Sequence, residues 1–269
     1  MTRSNGRVLW RGNSLIDGAP IVVVAIGVAG GSTNSKPGDM LQTYIVRADI
    51  SPVAAVSVGA DVSICGQCPH RGRAAAAVQQ ALSTQLPKHA DGAHIERTCY
   101  VNLGQGPTVV YRTLSMGGYP AVGAERDVFQ TVADVGRGRV VRLGTYGDPA
   151  AVPVWVWQSL VSQCVAHTGY THQWRSAPGL RELCMASADT VEDAREASGN
   201  GWRSFRVAMP LDMARRHNEI VCPASAEAGR KLTCATCRAC GGADGRRSSV
   251  VIRAHGGTAV MSNINKRAA

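Results

Sequence analysis

The second half of the chain alternates between short apolar stretches and segments of helical character, and this alternation limits the possible folds more than any other feature. Segments typical of helices lie at residues 152–167 and 190–198. Thr190 and Asp193 suit a capped start of the second helix. Stretches typical of strands lie at residues 139–148, 168–172, 183–189, 202–209, 219–222 and 248–255. Strands and helices that alternate over short connections predict an α/β fold with parallel strands and right-handed crossovers.

The first half adds strands to this pattern. Residues 21–29 and 41–50 are predicted as strands, and the alanine-rich residues 73–86 as a helix. A helical turn is expected at 211–218 in the second half. With these additions the number of strands approaches that of a full or incomplete (β/α) barrel of the TIM type, with a doubly wound open sheet as the alternative.

The domain organisation follows from the lack of any stretch with the composition of a linker. We therefore expect one barrel-like domain over residues 1–269. Seven of the nine cysteines would lie in an insertion at 60–107 and in a C-terminal metal-binding segment at 222–257.

Polar residues follow several predicted strands, at the edge where (β/α) barrels carry their active sites. Asp148, His172 and Asp189 are the candidate catalytic residues, because carboxylates and imidazoles serve as nucleophiles or as general acids and bases. Two alternatives remain open. Asp148 could form a turn with Pro149, and Asp189 could cap the helix that follows it.

Candidate substrate contacts lie at the same edge. Tyr170 and Trp174 flank His172 and could stack on a planar ring, although an aromatic edge of the core would explain them equally well. Gly147 would allow the backbone to approach a ligand closely. Arg206 is included because its strand ends at this edge.

Four of the nine cysteines lie close together near the C-terminus. A C-x2-C-x2-C run followed by a histidine has the spacing of a tetrahedral metal site. We therefore predict a structural zinc site here, in preference to unbound thiols. The expected ligands are Cys234, Cys237, Cys240 and His255, with Cys222 at the end of the preceding strand.

A second cysteine group lies in the first half of the chain. Cys65 and Cys68 form a C-x2-C pair, and Cys99 follows about thirty residues later. Three thiols from two segments could hold a second metal ion or an iron–sulfur cluster, with His70 or an external group as the fourth ligand.

The chain is strongly basic, with a formal net charge of +10 and a pI near 9.5. This charge predicts a nucleic acid as partner, with a merely positive surface as the alternative. The apolar run at residues 21–29 is about half the length that a membrane span needs, so we expect no membrane contact. An odd number of cysteines and a polar start of the chain favour the cytoplasm.

Several segments resemble a group of phage-encoded cysteine-rich proteins. They include "CGQCPHRG", "CYVNLGQGP", "RLGTYGDPAAVP", "TGYTHQW" and "CATCRAC". The resemblance spans nearly the whole chain, and it implies the cytoplasm of an infected or lysogenic bacterium as the location.

A more distant similarity concerns the tRNA-guanine transglycosylases and their phage relatives that act on 7-deazaguanine in DNA. A C-terminal cysteine triplet followed by a histidine, after a (β/α) barrel, carries this similarity. It implies exchange of a base through an aspartate nucleophile, a small-molecule base donor and DNA rather than RNA as the partner. Asp148 and Asp189 would be the nucleophile and the general base.

Three hypotheses for function follow. The first is a phage-type, metal-containing enzyme that modifies a nucleobase. The second is an iron–sulfur enzyme similar to the radical S-adenosylmethionine family, although the C-x3-C-x2-C triplet of that family is absent from the sequence. The third is a zinc-containing protein that binds nucleic acid without catalysis.

Overall fold

In the part of the chain that the structure describes, the protein has an α/β fold with one mixed and one parallel sheet, each of five strands. The computed structural model describes residues 4–30, 37–72, 97–123, 127–208, 215–216, 218–243 and 248–268. The prediction of an α/β fold with parallel strands is confirmed. The predicted helix at 73–86 and most of the helical turn at 211–218 lie outside the described residues.

The mixed sheet begins as an antiparallel meander and continues with parallel strands. In spatial order its strands are β1 (Gly6–Asn13), β2 (Pro20–Ile26), β3 (Met40–Arg47), β4 (Val140–Tyr146) and β5 (Ala166–Thr168). The first three pair antiparallel, and β3, β4 and β5 pair parallel. Residues 21–25 of β2 are fully buried, which explains their uninterrupted apolar sequence.

All strands of the second sheet are parallel. In spatial order they are β6 (Tyr170–Thr171), β7 (Met185–Ala188), β8 (Ser204–Ala208), β10 (Ser249–Arg253) and β9 (Glu219–Val221). Because β10 pairs with both β8 and β9, the last strand in the chain lies inside the sheet. Parallel pairing places the carboxyl ends of these strands at one edge.

A single glycine connects the two sheets. Gly169 lies between β5 and β6, so the chain passes from the mixed sheet to the parallel sheet within one residue. A Cβ at this position would lie 2.8 Å from Sγ of Cys184 and 3.0 Å from the carbonyl oxygen of Leu183, which leaves room only for glycine. No strand pairing among the described residues closes the two sheets into a barrel, so the (β/α) barrel stays a prediction.

The described α-helices are short. They are α1 (Pro52–Val58), α2 (Val62–Cys65), α3 (Gly106–Ser115), α4 (Val128–Gly136), α5 (Val154–Val161), α6 (Val191–Gly199), α7 (Cys234–Cys237) and α8 (Thr258–Ala268). The helix expected at 152–167 is shorter than predicted, because the chain leaves the helix at Ser162 and enters β5. Thr190 and Asp193 form the predicted capping box of α6.

The main core includes residues of the mixed sheet and extends to Ala186 of β7 and Ala197 of α6, and Trp157 of α5 is completely buried in it. None of the helices in the described part of the chain has the length and apolarity required to cross a membrane. The predicted segments at 60–107 and 222–257 are only partly described, and their boundaries stay predictions.

Candidate metal centre

The carboxyl ends of the parallel strands surround one cavity of about 520 Å³. Asp148 follows β4, His172 follows β6 and Asp189 follows β7, and all three residues line this cavity. The structure therefore brings together the three candidate catalytic residues. Both cysteine groups line the same cavity.

His70, His172 and Asp189 form a compact cluster in this cavity. Nε2 of His70 lies 2.6 Å from Oδ1 of Asp189, and Nε2 of His172 lies 3.2 Å from Oδ2 of the same carboxylate. The two imidazole rings meet edge to face, with centroids 5.7 Å apart. One ligand atom from each of the three residues lies within 4.8 Å of the other two, so the cluster could hold a metal ion.

Asp189 and His172 each stabilise the charged form of the other. Burial of Asp189 favours its neutral form, but the hydrogen bonds from His172 and His70 outweigh this effect and hold the pKa of the carboxyl well below its usual range. Burial also disfavours the charged form of His172. The neighbouring Cys68 thiol and Asp189 carboxylate outweigh that effect and raise the pKa of His172 well above its usual value.

His70 is fixed from both sides of its ring. Its Nδ1 lies 2.9 Å from Oγ1 of Thr98, which leaves Nε2 directed at Asp189. Its carbonyl oxygen accepts hydrogen bonds from the backbone N–H groups of Thr98 and Cys99 at 3.2 and 3.0 Å. The segment around Cys99 is therefore held against the C-x2-C turn, and the ring nitrogen that faces the cluster is defined.

Asp148 positions His172. Its Oδ2 accepts a hydrogen bond from the backbone N–H of His172 at 2.8 Å, and its Oδ1 accepts one from the N–H of Ala150 at 2.9 Å. The carboxylate is buried, and the second of these bonds caps the turn that begins at Pro149. Asp148 thus forms the turn that the Asp-Pro sequence suggested. Its expected role as a nucleophile stays a prediction.

The first cysteine group lies beside the His–Asp–His cluster. Cys65 ends α2, and Cys68 and Cys99 line the cavity with it. Sγ of Cys68 lies 4.0 Å from Nε2 of His172. Burial raises the pKa of Cys65 well above its usual value, and the neighbouring Asp61 carboxylate and the other two thiols add to this increase.

The second cysteine group lies elsewhere on the cavity lining. Cys222 follows β9, Cys234 and Cys237 are the end residues of α7, and Cys240 follows three residues later. Cys222 and Cys240 pack in one apolar cluster with Met185 of β7. Burial raises the pKa of the Cys240 thiol to about 12, and the other three thiols contribute to this increase. No disulfide joins any of the nine cysteines, all of which lie in the described ranges.

The predicted zinc ligands are not assembled as a set. Four thiolates bound to one zinc ion at 2.3 Å place their sulfurs about 3.8 Å apart. Within the described ranges, His70, His172 and Asp189 are the only three residues with ligand atoms within 4.8 Å of one another. His255 is exposed, its Nδ1 lies 2.9 Å from the carbonyl oxygen of Arg253, and its ring lies 5.8 Å from that of Tyr100. The cysteines are thus not clustered as ligands among the described residues, and a zinc site of Cys234, Cys237, Cys240 and His255 stays a prediction.

The candidate substrate contacts divide into two pairs. Tyr170 and Gly147 line the cavity. Gly147 has a positive φ of 86°, and a Cβ there would lie 2.7 Å from Cβ of Ile45, so its lack of a side chain permits close packing of β3. Trp174 packs in the core and Arg206 forms a buried ion pair with Glu219. Neither of these two residues belongs to the cavity lining, in contrast to the expectation.

Arg142 is a cavity residue that the sequence analysis did not identify. Its guanidinium donates a hydrogen bond to the hydroxyl oxygen of Tyr100 at 2.9 Å and lies over the ring of Tyr170 at 5.7 Å. Arg142 lies in the middle of β4, where a strand pattern gives no indication of function. Arg71 and Arg97 also line the cavity, which therefore carries several positive charges.

Comparison with models of protein families, with curated proteins and with solved structures found no match to this chain. The resemblances to phage proteins, to transglycosylases and to radical S-adenosylmethionine enzymes therefore stay predictions. The function is inferred below from the site itself.

Proposed function

We propose that the protein is a metal-dependent enzyme that modifies a nucleobase, with a divalent transition metal held by His70, His172 and Asp189. The observation that carries this proposal is the placement of the three donor groups within 4.8 Å of one another, with His172 and Asp189 at the carboxyl ends of parallel strands. Two imidazoles and one carboxylate suit zinc and iron, and such a set leaves coordination positions open for water or substrate.

The surroundings of the centre favour catalysis over a purely structural role. Structural metal sites are closed, whereas catalytic sites open on a cavity. His70, His172 and Asp189 line a cavity of about 520 Å³, a size typical of sites for small molecules or single nucleotides. Thr98 orients the imidazole of His70 through its Nδ1, which is the outer support that metal ligands require, and Asp148 fixes the backbone of His172.

A nucleobase in a nucleic acid is the substrate class that the charge and the cavity lining support best. The chain carries a formal net charge of +10, which would attract a polyanion. Arg142 and Tyr170 present a guanidinium and an aromatic ring to the cavity, and these groups hydrogen-bond to and stack on planar bases. DNA, a small-molecule base donor and a phage-infected bacterial cytoplasm belong to the same proposal.

The resemblance to transglycosylases implies a (β/α) barrel and an aspartate nucleophile, and the structure supports these two implications to different degrees. We propose that the parallel strands β3 to β10 form an incomplete (β/α) barrel, supported by the one-residue connection at Gly169. Base exchange through an aspartate nucleophile has less support than a metal-dependent modification of the base. Asp148 accepts hydrogen bonds with both of its oxygens, and Asp189 lies between two imidazoles.

Iron–sulfur chemistry is a second candidate function, favoured by one specific observation. Cys65, Cys68 and Cys99 line the same cavity as the cluster, and Sγ of Cys68 lies 4.0 Å from Nε2 of His172. Three thiolates can hold a cluster with one iron position open to substrate. In this form the protein would be a redox enzyme similar to the radical S-adenosylmethionine family.

The experiment that tests the metal centre is cobalt(II) or zinc titration of the metal-free protein, followed by calorimetry and elemental analysis. The variants His172→Gln and Asp189→Asn should each lose one equivalent of metal bound through nitrogen and oxygen, since each removes one of three donors. His255→Gln is the matched control, because His255 is exposed and lies outside the cluster. Circular dichroism would verify that all variants fold.

The outcome also separates the two candidate functions and the non-enzymatic alternative. Unchanged metal binding in both variants with a native fold would overturn the proposed centre. A brown protein that contains inorganic sulfide and loses it in Cys68→Ser would favour the iron–sulfur alternative. A protein that binds DNA equally well with and without the metal, and changes no base in mass spectra of the DNA, would favour binding without catalysis.

A further inference from the structure

The four C-terminal cysteines form a group of their own on the cavity lining. They come from the end of β9, the two ends of α7 and the loop that follows. Arg238, just after α7, has a positive φ of 55°, and its backbone N–H donates to the carbonyl oxygen of Cys234 at 3.1 Å. This tight turn directs the chain from Cys237 to Cys240. The group thus consists of Cys222, Cys234, Cys237 and Cys240.

The spacing of the sulfurs distinguishes between the metals that such a group could bind. No three of these thiols lie within 4.8 Å of one another, although zinc would require sulfurs about 3.8 Å apart. A cluster of several iron ions is larger than a single ion, and each iron binds a different thiolate, so its ligands are further apart. Cys222 and Cys240 nevertheless share one apolar cluster, and the other three thiols help to raise the pKa of Cys240, so the four thiols form one group that is spaced more widely than a single zinc ion requires.

The surroundings also suit a cluster. Cys222 and Cys240 are buried among Met185, Val250 and Ile252, so part of the group lies in an apolar shell. Such shells control solvent access and the reduction potential of iron–sulfur centres. The other two thiols, on α7, are only partly buried and face the cavity.

We propose that Cys222, Cys234, Cys237 and Cys240 bind an iron–sulfur cluster at the cavity, with Cys222 as the fourth ligand in place of His255. The imidazole of His255 is exposed and lies beside the Arg253 carbonyl and the Tyr100 ring. The site uses no residue of the His70–His172–Asp189 centre, so it does not depend on the function proposed above. It would place an electron-transfer group beside the substrate cavity.

The test is anaerobic reconstitution of the full chain with ferric iron, sulfide and a thiol reductant that supplies electrons to part of the iron, in a Cys68→Ser background that disables the first cysteine group. The C68S protein should contain iron and inorganic sulfide in similar amounts and show a visible absorption band. Adding Cys237→Ser should remove most of both. Cys237 is chosen because it is only partly buried, so its replacement should preserve the fold. Cys164→Ser in the same background is the matched control, since Cys164 lies outside the cavity lining.

Two further variants separate this inference from its alternatives. His255→Gln should retain the iron and sulfide, and loss of both in a folded variant would overturn the assignment of Cys222. Asp189→Asn should also retain them, so a failed metal centre and a failed cluster give different results. Zinc without inorganic sulfide in the C68S protein, or equal sulfide in C68S and C68S/C237S, would overturn the proposal.

Discussion

The buried ion pair between Arg206 and Glu219 should hold the end of the parallel sheet together. Nε and Nη2 of Arg206 donate to the two carboxylate oxygens of Glu219 at 2.9 and 2.8 Å. Only 1 % and 3 % of the two side chains are exposed. Glu219→Gln preserves the shape of the side chain and removes the charge that compensates the guanidinium. Removing one partner of a buried ion pair costs about 3–5 kcal/mol.

We expect the lower end of this range, because glutamine still offers an oxygen acceptor and Arg206 has further interactions. With a urea m value of about 3 kcal/mol per M, a loss of about 3 kcal/mol lowers the midpoint of unfolding by about 1 M. Glu182→Gln is the matched control. It removes an exposed carboxylate that lies 3.3 Å from Arg181, and surface pairs contribute only about 0–1 kcal/mol. Equal midpoints for E219Q and E182Q would refute the reasoning.

The pH dependence of the same pair gives an independent check. Burial of Glu219 favours the neutral acid, but the hydrogen bonds from Arg206 outweigh it, so the pKa of Glu219 is lowered from its ordinary value of 4.5. A lowered folded-state pKa contributes stability that is fully present above the unfolded-state pKa and is lost as the pH falls through the folded-state pKa. The difference in unfolding free energy between the wild type and E219Q should therefore be largest above about pH 5 and shrink below pH 4.5.

Two further predictions concern packing and thiol reactivity. Gly136→Ala should lower the free energy of unfolding by about 1–3 kcal/mol, because its Cβ would overlap the carbonyl oxygen of Leu160. Gly199→Ala is the control in the same thermal melts, because a Cβ at Gly199 would meet no neighbour within 4 Å. Equal melting temperatures of the two variants would contradict the expected overlap. Cys184 should resist iodoacetamide in the native protein and react after unfolding, because burial raises the pKa of its thiol well above the usual value. Peptide mass spectrometry would reveal early modification of Cys184, which would contradict this burial.

The strands whose carboxyl ends carry the site can be predicted from the sequence, because each is a short apolar run that ends in a polar residue. Asp148, His172 and Asp189 were found in this way, and all three line the cavity. The pattern fails for Arg206, since a strand pattern does not reveal that the Glu219 carboxylate lies opposite it. Pairing between β8 and the later strands is a long-range contact, which local sequence does not encode.

The candidate metal centre is only partly predictable for a similar reason. His70 was considered as a ligand for the first cysteine group, because it follows Cys68 by two residues. Its pairing with Asp189 depends on how two distant segments meet, and the sequence contains no signal for that contact. The regular cysteine spacing near the C-terminus, in contrast, suggested a zinc site with His255, and the turn after β10 holds that histidine beside Tyr100.

The contact between His70 and Asp189 joins residues that are 119 positions apart in the chain. During synthesis the first of these side chains leaves the ribosome well before the second. The cluster therefore cannot assemble until β7 has been made and has taken its place in the sheet. An ion that requires all three ligands would be captured only after the strands up to β7 are in order, so metal uptake would follow the assembly of these strands and could not initiate it.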